Sequence, residues 1–177
     1  MTPQLAAAKA LWRDLFALAA LSDADNFLTA IEKAGAANQT TKWPLWIAFI
    51  VSYSRPFTSN DDMGRASDKA IPQHLRDLHR AFIHARNSVV GHTNPLETLE
   101  DGLQANQIIL RKRGCSSDIV PHAIVPSDEE IPNAKELVRC LLKDFSERTA
   151  QGKQALMAKT KDLPDGDYQF SYPNLPM

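Results

Sequence analysis

Cysteine is nearly absent from this 177-residue chain. The two present, Cys115 and Cys140, are too few for a disulfide framework and have no partner spacing for zinc. They read as reduced thiols in a cytosolic protein. Charge of one sign is missing too: 20 Lys and Arg stand against 21 Asp and Glu, for a net charge of −1. That balance argues against a strongly basic nucleic-acid binder but leaves room for a small local basic site. Long hydrophobic runs are also lacking. The longest nearly apolar stretch, Trp43 to Val51, is about half of what a membrane span needs. Lys9, Arg13 and Asp14 interrupt the N-terminal apolar pattern, unlike a signal-peptide core. The expectation is a cytoplasmic protein with no membrane contact. No glycine-rich phosphate loop, dinucleotide fingerprint or nucleophile elbow occurs, and there is no internal repeat or low-complexity run.

What is present is an ordinary globular composition, with 44% hydrophobic and 23% charged residues, and helical periodicity. Thr2-Pro3 is a helix start. Leu5, Ala8, Trp12, Leu15, Phe16 and Ala19 then repeat at helical spacing, which predicts an amphipathic helix over 3–21. Ser22 can cap a second helix over about 23–35, with Phe27, Leu28 and Ile31 as its apolar positions and Gly35 as its stop. Residues 38–42 read as a loop. The segment from Pro44 to Arg55 is apolar on nearly all sides. Its composition suits a buried strand, but its length and leading proline favour a buried helix over about 43–55.

Residues 56–71 form a polar loop of unusual length, the kind that is often functional. Pro72 opens a helix to about Val90, with Gly91 as its stop and Pro95 forbidding continuation. Two short β-branched segments, 106–113 and 118–125, predict a β-hairpin, with Pro121 at an edge or bulge. Ser127 begins a capping box. Leu137, Val138, Leu141, Leu142, Phe145, Gly152 and Leu156 then mark a long helix over about 129–160. The expected fold is all-α: an antiparallel bundle of about five helices, with a hairpin inserted before the last long helix. It forms a single domain over 1–162, followed by an extended tail over 163–177.

The 72–92 segment concentrates positive charge in a neutral chain. It holds Arg76, Arg80, Arg86, His74, His79, His84 and His92, with Asp77 as its only acid. On a helix, Leu75, Phe82, Ile83, Val89 and Val90 form one stripe, and His79 and Arg86 fall inside it. Arg76, Arg80, His74 and His84 point elsewhere and are solvated. A guanidinium on an apolar face is costly unless paired or opened to a cleft. Arg86 therefore either bonds carbonyls or carboxylates inside the bundle, aided by the helix dipole, or lines a polar pocket or interface. His92 is either a surface residue of the capping turn or swings back towards Arg86. His79 reads most simply as a satisfied core or interface histidine. The helical histidines are five apart, not the three or four a metal site wants, so no metal or other cofactor is expected.

The stretch LHRAFIHARNSVVGHT, residues 78–93, resembles the signature of HEPN domains: an Arg, then four to six residues of which the first is often polar, then a His. HEPN domains are small helical bundles. Many are metal-independent ribonucleases, often toxins of toxin–antitoxin or phage-defence systems, which act as dimers with Arg and His of both subunits in one cleft. The resemblance implies that Arg86 stabilises the phosphate, that His92 acts as general base or acid, and that Asn87 orients the site. It also implies a homodimer whose partners are RNA or a nucleotide, and an antitoxin such as a nucleotidyltransferase. His79 and Arg55 are candidate substrate-binding residues beside these three. Arg55 sits next to the long loop; it otherwise reads as a surface residue ending a helix. Arg111, Lys112 and Arg113 are candidates for gripping RNA backbone, or simply a solvated hairpin. Two other readings remain. One is a non-catalytic dimeric module binding nucleotide, RNA or protein. The other is a helical scaffold in which Arg86 and His92 are structural.

Overall fold

A long antiparallel helix pair is the frame. In the computed structural model, which describes residues 3–35, 39–58, 65–87, 108–113, 116–121 and 128–167, α1 spans Pro3–Ala34 and α4 spans Ile131–Thr160. At 1.5 Å per residue, α1 is about 48 Å long. Four contacts fix the register of the pair. Lys159 Nζ donates to the Pro3 carbonyl at 3.4 Å. Leu11 lies against Gly152. Arg148 Nη2 donates to Asp14 Oδ1 at 2.7 Å, and Lys135 pairs with Glu32. At Gly152 an added Cβ would lie 3.2 Å from Leu11 Cδ1, so the residue's smallness lets the helices approach there.

Helix α1 corrects one expectation. The break at Ser22 does not occur, and the two helices expected over 3–21 and 23–35 are one. Ser22 does not cap; its Oγ donates to the Leu18 carbonyl, one turn back within the same helix, at 2.9 Å. The buried stripe of Ala17, Leu21, Ala24, Leu28 and Ile31 runs straight through Ser22 on one face. Continuous packing outweighs a local capping preference. Gly35 does end the helix, with φ of 67°, the left-handed conformation glycine adopts without strain.

Helix α2, Gln39–Ser54, settles the choice between strand and helix for the apolar segment. It begins earlier than expected, so residues 39–42, read as loop, are helical and Pro44 lies inside the helix. The exposed ring of Pro44 faces solvent near the N-terminus, where the ladder it interrupts is shortest. Trp46, Phe49 and Tyr53 are almost completely buried. A 3₁₀ turn, Arg55–Phe57, follows. Ala66 N–H donates to the Pro56 carbonyl at 2.7 Å.

The expected 72–90 helix is shorter in its described part. Pro72 is extended, a 3₁₀ turn covers Gln73–Leu75, and α3 runs Arg76–Ala85. Arg86 and Asn87 continue as a π-helical turn. Val89, Val90, Gly91, Pro95, Cys115 and Ser127 lie outside the described residues, as do residues 168–177 of the tail. Strands β1, Ile108–Arg113, and β2, Ser116–Pro121, pair antiparallel with Arg113 opposite Ser116 and Ile108 opposite Pro121. The second strand thus starts earlier than the expected 118–125, of which residues 122–125 lie outside the described residues. A 3₁₀ turn, Asp128–Glu130, leads into α4.

The described residues are therefore mostly helical, with four α-helices rather than about five. One core joins them, from Leu21 and Leu28 of α1 through Phe49 and Phe82 to Leu141 and Phe145 of α4. No described helix is long and apolar enough to cross a membrane.

The Asp14–Arg148 pair lies in the α1–α4 seam, with side-chain exposures of 10% and 24%. Arg148 also stands 4.6 Å over the Phe145 ring. Arg148→Ala leaves the enclosed Asp14 carboxylate with only the more distant Arg13, whose Nε stands 3.8 Å from its Oδ1, and is expected to destabilise the fold by about 1–3 kcal/mol. Urea unfolding of the two proteins measures this. Replacing Asp14 and Arg148 together by Leu and Met should recover most of the loss.

Candidate functional site

Helix α3 owes its placement to aromatic packing against α2. Phe82 meets Phe49 edge-on at 5.0 Å and Tyr53 at 5.3 Å. His79 meets the Phe57 ring edge-on at 4.8 Å. Ser54 Oγ donates to the Phe82 carbonyl at 3.4 Å. Rising numbers on α2 pair with falling numbers on α3, so the helices cross antiparallel. The end of α3 therefore runs towards the middle of α2, away from Arg55.

His79 is a core residue. It is 8% exposed, and its Nδ1 is hydrogen-bonded to the Tyr53 hydroxyl at 2.7 Å. Burial pulls its pKa below the ordinary value, Asp68 opposes this, and Arg80 adds to it. Burial also pushes the Tyr53 hydroxyl well above its ordinary range, so the phenol stays protonated. The contacts of His79 are with the core, the placement expected of a satisfied histidine; none of them opens it to a ligand. Tyr53, its partner, is 26 positions away, and no spacing in the chain signals the pairing.

Acid is expected to destabilise the fold through His79. With the native pKa below the unfolded value of about 6.5, the unfolded chain binds more protons as pH falls through that range. Stability is therefore full above about pH 6.5 and is lost as pH drops towards the native pKa. The melting temperature should fall on acidification through this window. His79→Gln, which keeps a hydrogen-bonding group, should flatten that slope.

Arg86 sits one turn beyond Phe82, half-buried. Its backbone N–H bonds the Phe82 and Ile83 carbonyls, a bifurcated arrangement typical of a helix end. Its Nη1 donates to Asn87 Oδ1 at 3.0 Å. Among the described residues, that bond engages one of the five N–H groups of the guanidinium fork. The π turn at the end of α3 carries the two residues of the motif that are described. His92 lies outside the described residues, so its position relative to Arg86 is not part of this geometry.

The other cations are dispersed. Arg80 pairs with Asp77 on the exposed face of α3. His74 Nε2 is 3.1 Å from Glu136 Oε1 of α4. Arg76, His84 and Arg55 are exposed. The backbone of Arg111, Lys112 and Arg113 lies in β1. Among the described residues, no group of three or more His, Cys, Asp or Glu side chains is arranged to hold a metal ion.

Compared with known protein families, with curated proteins and with solved structures, the chain matches none.

Proposed function

We propose that the protein is a HEPN-like, metal-independent endoribonuclease of the toxin or phage-defence type, with Arg86, Asn87 and His92 at its site. The observation that carries this reading is the half-buried Arg86 at the end of a cationic helix, its guanidinium held by Asn87 on a π turn. The chemistry suits these groups. An RNA 2′-hydroxyl attacks the adjacent phosphorus, the bond to the 5′-oxygen breaks, and a 2′,3′-cyclic phosphate and a 5′-hydroxyl result. Negative charge grows on the non-bridging oxygens, which a guanidinium fork meets bidentately. His92 takes the 2′-proton or delivers one to the departing 5′-oxygen, which imidazole does near neutral pH.

In this reading the β1–β2 pair is an insertion between the motif helix and α4. The catalytic unit is a homodimer, and a nucleotidyltransferase-type antitoxin is the natural partner class. Arg55, on the far side of the α2–α3 crossing, is at most a peripheral phosphate contact.

The test is incubation of the purified protein with a mixed RNA substrate in EDTA. Cleavage is expected from the native chain and not from His92→Ala. If the folded native chain binds RNA or nucleotide but leaves every RNA intact, the non-catalytic module replaces this reading.

A further inference from the structure

Helix α3 is lightly anchored beside its neighbours. Along α1 eight side chains are buried, and along α4 seven. Of the ten residues of α3, His79 and Phe82 are the buried ones. Ile71 and Leu75, just ahead of the helix, are buried as well, and Leu78 and Ile83 lie partly buried against the same core. One of the two buried anchors of the helix that leads to Arg86 is therefore a titratable group. An element with few buried apolar contacts opens locally at a lower cost than the whole fold.

His79 is held by α2 and by the turn that follows it. The Tyr53 hydroxyl of α2 is bonded to its Nδ1 at 2.7 Å, and the Phe57 ring stands edge-on at 4.8 Å. Two exposed charges act on it: Asp68, in the segment ahead of Pro72, and Arg80, its neighbour on α3. A neutral imidazole has one donor and one acceptor nitrogen, whereas an imidazolium has two donors. Protonation thus adds a hydrogen to a Tyr53–His79 pair that shares one hydrogen bond, and places a charge where water is excluded. A His79 released into water carries neither cost.

We propose that the docking of α3 on α2 is a proton-operated latch: protonation of His79 frees the helix that leads to Arg86 and Asn87, while the α1–α4 pair stays folded. Acid moves this segment before it melts the frame, because the frame is held by many buried side chains and α3 by few. The latch belongs to α2, α3 and the Phe57 turn. It does not rest on the ribonuclease reading, and its test uses no RNA.

Hydrogen exchange of the full chain, followed from about pH 8 to about pH 5 and corrected for intrinsic amide rates, tests it. Protection over residues 76–85 is expected to fall by up to about tenfold per pH unit below about pH 6.5, and to level off once His79 titrates in the docked helix. Helices α1 and α4 keep their protection over the same range. At low salt, where exposed charges are least screened, Asp68→Asn should deepen the total loss, since it removes the carboxylate that favours the charged imidazole. Arg80→Gln should make the loss shallower, for the opposite reason. Both positions are exposed, so these two variants fold even if a change at His79 does not. His79→Gln should leave the protection of α3 independent of pH. Joint loss of protection in α1, α3 and α4 would overturn the latch. So would protection over 76–85 that acid leaves unchanged, or Asp68→Asn and Arg80→Gln chains that both behave like the native one.

Discussion

Phe82→Ala is expected to cost about 3–5 kcal/mol of folding stability, the usual range for removing a buried phenyl ring. Phe82 is 2% exposed and is the ring through which α3 meets Phe49 and Tyr53 of α2. The shell around it is aromatic and interlocked: Phe49 is held by Trp46 at 5.4 Å, and Tyr53 by Phe57 at 5.7 Å. A cavity among such rings collapses poorly. For a chain of this size the loss corresponds to a melting temperature lower by on the order of 10 °C. The damage reaches beyond the cavity, because the Phe82 carbonyl receives both Ser54 Oγ and the Arg86 N–H. Phe82→Leu, which keeps most of the volume, should cost about 1–2 kcal/mol. Thermal melts of the three proteins check this. Equal stability for Phe82→Ala and the native chain would mean that α3 is not anchored through this ring.

Arg86→Ala is expected to show the opposite profile: a small change in stability and a large one in RNA cleavage. The side chain is half-buried, and its described bond is to the exposed Asn87, so truncation should cost no more than about 1 kcal/mol. Under the proposed chemistry, removing a charge-stabilising donor from a phosphoryl transition state lowers the rate by about 10²–10³-fold. Arg86→Lys should recover only part of this, because an ammonium keeps the charge and loses the planar fork. Single-turnover cleavage rates, read beside melting curves, separate the effects. A large stability loss with Arg86→Ala would instead make Arg86 a structural residue of the scaffold.

The same residues show how far sequence reasoning reaches. Periodicity located α3 and α4, because Leu75, Phe82, Leu137 and Leu141 are core residues whose spacing is a property of the helix itself; α2 was legible instead from the length and leading proline of its apolar segment. It also placed His79 on the buried stripe. What it could not weigh was competition between local and distant contacts. Ser22 has the chemistry of a cap, and only the stripe running past it on both sides shows that the helix continues. The apolar stripe through Trp12 has the chemistry of a core face. Which face α1 buries depends on the length of α2 and the path of α4, and neither is encoded near Trp12. Gly152 similarly reads as one more apolar position in the sequence, and only its contact with Leu11 shows why it is small. The Arg86–Asn87 pair was legible as a motif; its π turn and hydrogen bond were not, since both depend on how α3 ends.

In the proposed function, Arg86 and its neighbours support cleavage of RNA by its own 2′-hydroxyl, without a metal. End-group analysis of RNA treated with the purified protein in EDTA tests this most directly. Fragments ending in 2′,3′-cyclic phosphate, with 5′-hydroxyl partners, are expected from the native chain and far fewer from Arg86→Ala. Intact RNA, 3′-hydroxyl ends, or equal cleavage by Arg86→Ala would contradict it.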